Sequence, residues 1–455
     1  MDMLISVLSS IFWGLVVLSV LVGIHEGGHF LASRACGVRV TEFFLGLPCR
    51  FNLHHVSRRI GTKFGVTPIL LGGYAMVCGM DPEDNTHAAS VLGLIHAEGV
   101  LSVEDIAQKL NISEDDAMES CIQLMGWGSI APVYDEAKGE KPSGSTYPTT
   151  YASMPRDHEG NTIYDGRAFK RDEATKQGEG WRSALSDEQF LERERTKTYA
   201  GLGWLKRVFI LIAGIGVNII AGFLLLMSIY MVVGVPVAVN SNVVGSVTAA
   251  SPAADAGIQE GDTILSFNGM ETTDWSSIED AAALTTPGEP FDITYEHEGV
   301  EHTSTLIVEE GENIGISAQT TTYRLGPIEA ARVSFAYVAM TGQTIAQLVN
   351  PAHTLDVLNN STSIVGISVI SAQAAAEGPA TLLRFAALIS FSLGFMNLLP
   401  IPPLDGGKIL IETIQAIIRR PLSVRVQNAV SIAGIALFGF LFLYLLRGDI
   451  LRFIL

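Results

Sequence analysis

Residues 4–38 read LISVLSSIFWGLVVLSVLVGIHEGGHFLASRACGV and join an apolar run to a polar cluster. The first 21 of these residues carry no charge, and a bilayer core needs about 20 apolar helical residues. A secretory signal is the alternative interpretation, but no Lys or Arg precedes the run and no small-residue cleavage pattern follows it. The sequence therefore predicts a retained membrane helix that ends in His25, Glu26 and His29.

The composition of the whole chain also indicates a membrane protein. Of its 455 residues, 48% are hydrophobic and only 17% are charged, whereas soluble domains average about 25% charged residues. Three further apolar runs follow the first, at Val208–Val235, Phe385–Leu399 and Val430–Leu446. We expect four membrane spans, with the last two using flanking residues to reach full length.

The basic residues of the polar segments predict an orientation. Residues 34–207 carry Lys and Arg close to both membrane ends, whereas residues 236–381 hold only Arg324 and Arg332. The positive-inside rule then places residues 34–207 in the cytoplasm and the second segment outside. The loop after the third run returns to the cytoplasm because it carries Lys408, Arg419, Arg420 and Arg425. All four cysteines fall in the predicted cytoplasmic segment, which fits reduced thiols.

Two kinds of structure are expected between the first two spans. Residues 51–80 alternate apolar positions and are rich in Gly, which predicts a β-hairpin or short sheet against the membrane. Residues 81–199 are polar and acidic. Two S-x-x-D capping patterns, Ser102–Asp105 and Ser113–Asp116, each predict the start of a helix within this insertion.

The insertion resembles a winged-helix domain. Helices are expected at Ala88–Ala97, Val103–Leu110 and Glu114–Met125, followed by a strand pair in GWGSIAPVY. The third helix would have to enter a DNA groove, but its first six residues include four acids and no base. Phosphates repel such a helix, so we expect a protein-contact or structural module and no nucleic-acid partner.

Residues 243–316 predict a small β-rich domain outside the membrane. Short strands alternate with turns, and short helices are expected at Pro252–Ala256 and Asp274–Leu284. The stretch SPAADAGIQEGDTILSFNG resembles the core of a bacterial, circularly permuted PDZ domain. That resemblance implies that Ile314, Gly315 and Ile316 form a peptide-binding loop; a plain β-domain is the alternative.

The HExxH pattern at the end of the first span indicates a metal site. Residues four apart on a helix share a face, so His25 and His29 supply two imidazoles at once. The glutamate between them is placed to act as a base. The alternative, a polar helix end that reaches to the interface, gives no reason for intramembrane ionisable groups, which are costly without a task.

A catalytic zinc site needs a third protein ligand. The stretch NLLPIPPLDGGKIL closes the third apolar run, and its Asp405 is the only acid between Glu377 and Glu412. Prolines interrupt the helix there, and the following Gly-Gly permits a close backbone approach. We therefore expect Asp405 to face the metal.

These motifs together resemble the site-2 protease family of intramembrane zinc metalloproteases. The features that carry the resemblance are HEGGH, a GxxxN from Gly214 to Asn218, the PDZ-like domain and NLLPIPPLDGG. The resemblance covers most of the chain and is nearest to bacterial members that cut anti-sigma factors and remnant signal peptides. It implies one zinc ion held by His25, His29 and Asp405, with Glu26 as base.

The resemblance also implies substrate contacts and partners. Asn218, Asn360 and Asn397 match positions that lie near the active site or hold substrate in extended form. The implied substrates are single-span membrane proteins in the lipid bilayer, trimmed beforehand by another protease. A non-catalytic scaffold that uses the PDZ and winged-helix modules is the alternative, but it has no need for the metal-site residues.

The chain departs from the family pattern at several points. Ile215 stands where the family often has Pro, and TSIVGI at 362–367 replaces SGPxGI. One PDZ domain is visible in the sequence, where some relatives carry two. The insertion has no counterpart in the family, so we expect an unknown cytoplasmic partner for it.

The expected organisation is a first span (1–50), a membrane β-region (51–80), the insertion with its linkers (81–199), a second span (200–236), the PDZ domain (237–320), an amphipathic surface segment (321–380) and the last two spans (381–455).

Overall fold

The computed structural model describes residues 2–49, 51–80, 85–135, 139–141, 147–309, 311–420 and 422–453. The chain divides into two compact units. One combines Met1–Leu226 with Val333–Leu455, and the other is Met227–Arg332.

The helices and strands of the described residues are numbered in chain order. The helices are α1 Asp2–Ala35, α2 Ala88–Glu98, α3 Val103–Leu110, α4 Glu114–Gly126, α5 Asp187–Arg195, α6 Trp204–Val232, α7 Pro252–Asp255, α8 Trp275–Ala283, α9 Pro327–Gln347, α10 Thr354–Asn359, α11 Ile364–Glu377, α12 Pro379–Leu398, α13 Asp405–Ile418 and α14 Val424–Phe453. The strands are β1 Val40–Leu45, β2 Leu53–Val56, β3 Lys63–Val66, β4 Gly73–Val77, β5 Val100–Ser102, β6 Ile130–Val133, β7 Thr150–Ser153, β8 Val235–Ala238, β9 Val244–Val247, β10 Thr263–Phe267, β11 Met270–Glu271, β12 Phe291–His297, β13 Val300–Leu306, β14 Ile316–Ala318 and β15 Thr320–Tyr323.

Four helices of the described residues are long and apolar enough to cross a membrane. They are Leu4–Ala35, Trp204–Val232, Pro379–Leu398 and Arg425–Arg452. The four predicted spans are thereby confirmed as helices of sufficient length. The third and fourth gain their length from flanking residues, as their short apolar runs required.

The region predicted as a β-hairpin or short sheet is a four-stranded sheet that begins before residue 51. Its sheet has the strand order β2-β3-β1-β4, with β1 parallel to β3 and antiparallel to β4. The β2–β3 hairpin is present, but β1 begins at Val40, before the expected boundary. The turn after α1 brings this strand back into the core at once, and Val40 is fully buried. Phe51 and Leu53, by contrast, are strongly exposed, as suits contact with lipid.

The insertion contains the three expected helices around one apolar core. Its sheet has the order β5-β7-β6. The expected strand pair in GWGSIAPVY is wrong, because this stretch holds the single strand β6, which pairs with β7. The helix α4 extends to Gly126 and so includes the first residue of the stretch. Residues 81–84, 136–138 and 142–146 of the insertion lie outside the described residues, and the winged-helix assignment stays a prediction.

The two capping patterns differ in how completely they form. At Ser102 the hydroxyl accepts the N–H of Asp105, and the carboxylate of Asp105 accepts the N–H of Ser102. At Ser113 the hydroxyl accepts the N–H of Asp116, but the carboxylate of Asp116 accepts from the serine hydroxyl instead. Both arrangements satisfy an N–H group that the helix itself leaves unpaired.

The second unit is a β-rich domain with its own core. Its main sheet has the order β11-β10-β12-β13, and the pairs β14–β9 and β15–β8 stand beside it. The helices α7 and α8 lie within the two expected ranges, and Asp274 caps α8. Gly315 has φ +90, and a Cβ there would lie 2.1 Å from Ser251 Oγ, so only glycine fits this loop. The PDZ assignment stays a prediction.

Residues 321–380 hold more than a surface segment. They contain α9, α10 and the apolar helix α11. The helix α11 crosses α1 so closely that a Cβ at Gly14 would lie 2.1 Å from Ser368 Oγ. This part of the segment therefore packs against the first span.

Candidate metal centre

Three potential ligand atoms converge between α1 and α13. Nε2 of His25 lies 2.9 Å from Oδ2 of Asp405, and Nε2 of His29 lies 3.0 Å from the same oxygen. The two Nε2 atoms are 3.2 Å apart. All three residues are buried, and among the described residues they form the group of His, Cys, Asp and Glu suited to a metal ion.

The donor set and its spacing fit zinc. Ligand atoms about 2.0–2.2 Å from one tetrahedral zinc lie about 3.3–3.6 Å from each other. The three separations are close to that range and need only a small expansion. Two neutral imidazoles and one carboxylate are also a chemically suitable set, because the metal would balance a buried negative charge.

Two glycines let α6 approach α1 at the metal centre. A Cβ at Gly28 would lie 2.5 Å from the carbonyl oxygen of Ala213. A Cβ at Gly214 would lie 2.6 Å from Nε2 of His29 and 3.0 Å from Cε1 of His25. Contacts below 3.0 Å are essentially never observed for a real Cβ. The second glycine of HEGGH and the glycine of GxxxN are therefore required by packing.

The other ring nitrogens of the two histidines orient the ligand atoms. Nδ1 of His29 lies 2.9 Å from the carbonyl oxygen of Ile210, so this nitrogen carries the proton and leaves Nε2 free for a metal. Nδ1 of His25 lies 3.4 Å from the amide nitrogen of Asn218, whose Oδ1 is buried without a partner. Rotating that amide by 180° lets Oδ1 accept from Nδ1 of His25, which satisfies both groups.

Glu26 lies beside the cluster without belonging to it. Its Oε2 accepts a hydrogen bond from the backbone N–H of Ala75 at 3.0 Å. Ala75 is in β4, which forms one edge of its sheet. The partly buried carboxylate of Glu26 thus connects the ligand helix α1 with the edge strand of the sheet. Sequence reasoning missed Ala75, because a contact between a helix side chain and a strand backbone 49 residues away leaves no local pattern.

Of the three asparagines predicted near the active site, only Asn218 contacts the metal cluster among the described residues. Asn218 is fully buried at the cluster. The side chain of Asn360 donates to the carbonyl of Asp356, and that of Asn397 donates to the carbonyl of Leu393. No contact between either side chain and the metal cluster is found among the described residues. The loop Ile314-Gly315-Ile316 belongs to the second unit.

A comparison with models of protein families finds one match over most of the chain. The model described as peptidase family M50 matches residues 13–441, which includes both histidines and Asp405. The chain belongs to peptidase family M50. This confirms the resemblance to site-2 proteases.

Named relatives of this M50 chain cover nearly its whole length. It is 28% identical to zinc metalloprotease RasP of Geobacillus kaustophilus, across 99% of this chain and 100% of the relative. It is 26% identical to zinc metalloprotease RasP of Shouchella clausii, across 95% and 97%. It is 25% identical to the probable protease eep of Enterococcus faecalis, across 96% and 98%.

A buried ion network joins the insertion of this M50 chain to its membrane β-region. Arg39, next to β1, binds Asp165 at 2.8–2.9 Å and Glu194 at 2.7 Å. Arg156 donates to the same glutamate at 2.8 Å through Nη1 and Nη2, and its Nε donates to Nε2 of His96 at 3.1 Å. These side chains are almost fully buried, and their charges balance. The insertion is therefore fixed to the strand that neighbours β4.

The network shifts the pKa values of its members. Burial alone would raise the pKa of Glu194, but Arg156 and Arg39 hold this pKa well below its usual value. Burial lowers the pKa of His96 to about 3, and the charge of Arg156 acts in the same direction. His96 is therefore neutral at physiological pH, with Nδ1 donating to the carbonyl of Leu92.

Proposed function

We propose that this chain is an intramembrane zinc metalloprotease that hydrolyses peptide bonds within single-span membrane proteins during regulated intramembrane proteolysis. The proposed ligands are His25, His29 and Asp405, and the proposed base is Glu26. The observation that carries the proposal is the buried convergence of three ligand atoms within 3.2 Å of one another, with an unligated carboxylate next to them. Membership of family M50 and relatives named zinc metalloproteases support it.

The residues divide the chemistry between them. Bound zinc supplies Lewis acidity, which polarises a carbonyl and makes water more acidic. Oε1 or Oε2 of Glu26 takes a proton from the attacking water and returns it to the leaving amine, as a general base and then an acid. Asn218 and the carbonyl of Ile210 keep the two imidazoles turned towards the metal. Surrounding helices limit the access of bulk water to the buried cluster.

The edge of β4 is the proposed site of substrate presentation. A substrate helix hides its carbonyls in its own hydrogen bonds, so it must unwind before hydrolysis. An extended segment can pair with an open strand edge. The N–H of Ala75 points away from β1 to Glu26, so a strand added there would run beside the base. Asn360 and Asn397 are proposed to hold the remaining substrate, which requires them to turn from their present partners.

Two soluble parts are proposed to select substrates. By the charge of its loops, the PDZ-like domain of residues 237–320 lies outside and the insertion lies in the cytoplasm. The outer domain would exclude substrates with bulky outer parts until another protease trims them. The insertion would dock an unknown cytoplasmic partner and, through Arg39, alter how the sheet meets the substrate. Glu194→Leu should therefore change substrate choice at unchanged zinc content; unchanged choice among several substrates contradicts this role.

Glu26→Gln tests the proposed function. General acid–base catalysis contributes about 100- to 10,000-fold, so purified Glu26→Gln protein should cleave a single-span substrate at least about 100-fold more slowly while it keeps its zinc. Glu42→Gln is a matched control, since Glu42 lies in β1 and bonds Tyr74. Cleavage at the wild-type rate by Glu26→Gln would remove this residue from the mechanism.

A further inference from the structure

The helix α13, which carries Asp405 as its first residue, has an unusual position in the chain. It lies between the spans in α12 and α14. Its 14 residues extend only about 21 Å, less than the roughly 30 Å of a bilayer core. It is therefore too short to cross the membrane, although the helices before and after it are long enough to do so.

The polar side of α13 is turned inwards. Asp405 and Glu412 are buried, and Oε2 of Glu412 lies 2.9 Å from Nη1 of Arg207 in α6. A Cβ at Gly406 would lie 2.3 Å from the carbonyl oxygen of Leu398, so the first turn of α13 packs against the end of α12. The helix thus buries the side that a helix of a soluble protein would expose.

The opposite side of α13 is apolar and uncovered. Leu410, Ile414, Ile417 and Ile418 are exposed, Ile417 by 75%. Their spacing of four, three and one residues places them on one stripe of the helix. The four candidate spans also carry exposed apolar side chains, and such surfaces are suited to contact with lipid.

The charges around the stripe are all positive. Arg419, Arg420 and Arg425 follow it and are exposed, and Lys408 is exposed in the first turn. The only acids between residues 405 and 426 are Asp405 and Glu412, which are buried. An amphipathic helix with an apolar stripe and neighbouring Lys and Arg lies in the membrane interface and attracts anionic lipid.

We propose that α13 is an interfacial helix that binds anionic phospholipid and thereby holds Asp405 at the metal centre. Metal sites require their ligands within about 0.5 Å of the productive geometry. Lipid contact on the stripe fixes the depth of α13, and headgroup contacts with Arg419 and Arg420 fix its far end. Because Asp405 is the near end of the same rigid element, zinc affinity depends on the lipid. The inference rests on the proposed function, since it takes Asp405 as a ligand.

The full chain in lipid nanodiscs tests this inference. One set of discs contains phosphatidylcholine alone, and the other contains equal parts of phosphatidylcholine and phosphatidylglycerol. Zinc affinity, measured by competition with a coloured chelator, should be about tenfold tighter with phosphatidylglycerol. R419Q/R420Q should abolish the difference, and Arg447→Gln, which removes an exposed charge near the other end of α14, should keep it. Equal affinities in both lipids would overturn the inference.

A depth measurement tests the location independently of the metal. A nitroxide placed at Ile417→Cys, with Cys36 and Cys49 replaced by serine, should be accessible to oxygen and shielded from a water-soluble nickel complex. A label open to the nickel complex would also overturn the inference. Failure of the proposed function has a different outcome, because zinc would then bind weakly in either lipid.

Discussion

The backbone N–H of Ala75 donates to Oε2 of Glu26 across 3.0 Å. This bond connects the proposed base, on the first membrane helix, with the open edge of a four-stranded sheet. Ala75 is paired on its other side with Phe43 of β1. Any strand added to this edge at Ala75 would therefore run beside the proposed base.

Ala75→Pro removes this donor and the capacity of the edge to pair at that residue. A hydrogen bond to a charged group contributes about 1.5–3 kcal/mol, so cleavage should fall by roughly 10- to 100-fold. Zinc content should not change, because no ligand contacts Ala75. Ala75→Ser retains the N–H and is the control. An Ala75→Pro protein of normal thermal stability and normal cleavage rate would contradict the role of this edge.

The two central glycines of HEGGH should behave differently. A Cβ at Gly28 meets the backbone of Ala213 at 2.5 Å, whereas a Cβ at Gly27 meets nothing within 4 Å. Gly28→Ala should push α6 away, lower bound zinc and destabilise the protein by about 1–3 kcal/mol. Metal analysis and thermal unfolding measure both effects. Gly27→Ala should match wild type, and equal behaviour of the two variants would mean that the close crossing of α1 and α6 does not matter.

Low pH should reduce the stability of the insertion through protonation of His96. Its folded pKa of about 3 lies below the usual 6.5, so between these values the unfolded chain binds a proton that the folded chain does not. Stability is therefore full above about pH 6.5 and falls as the pH drops towards 3, by about 1.4 kcal/mol per pH unit.

Hydrogen exchange of α2 and α5 in the full chain measures this loss. Exchange, corrected for its intrinsic pH dependence, should be faster at about pH 5 than at pH 7. His96→Gln removes the titrating ring and should flatten the difference. The carboxylate of Glu194 stays ionised in this window because its pKa lies well below its usual 4.5. An identical pH response in His96→Gln would assign the effect to another group.

Deletion of residues 243–316 tests the proposed gate. If the outer domain excludes bulky substrates, the deleted protein should cleave an untrimmed single-span substrate that the full chain leaves intact. Cleavage of a pre-trimmed substrate, at an unchanged rate, shows that the membrane helices remain folded. A deleted protein that still depends strictly on trimming contradicts the gate.

Local sequence patterns predicted the elements that depend on interactions between residues close in the sequence. Four spans, the start of α3 at its Ser102 cap and the spacing of His25 and His29 all follow from helical periodicity, capping and hydropathy. Asp405 was expected close to the histidines because an acid at membrane depth needs a partner, and its role as a metal ligand stays a prediction. The parallel pairing of β1 with β3, the contact of Ala75 with Glu26 and the Arg39 network join distant segments, and no local pattern records them.

The strand pair expected in the insertion is a pairing that the sequence predicted and the structure does not contain among the described residues. A strand pair was expected in GWGSIAPVY, which holds two glycines. The first glycine instead ends α4, and the partner of β6 is β7, 20 residues further on. Sequence alone gives the propensity of a strand but not the identity of its partner.

Zinc content of purified Asp405→Ala protein is the most direct test of the metal centre. Removing one of three protein ligands from a buried site should lower bound zinc to well under half of the wild-type amount under dialysis against a weak chelator. Glu412→Gln, which changes the other buried acid of α13, should retain zinc. Loss of zinc in Asp405→Ala alone is the predicted result. Full zinc occupancy in Asp405→Ala would contradict the assignment of His25, His29 and Asp405 as the metal centre.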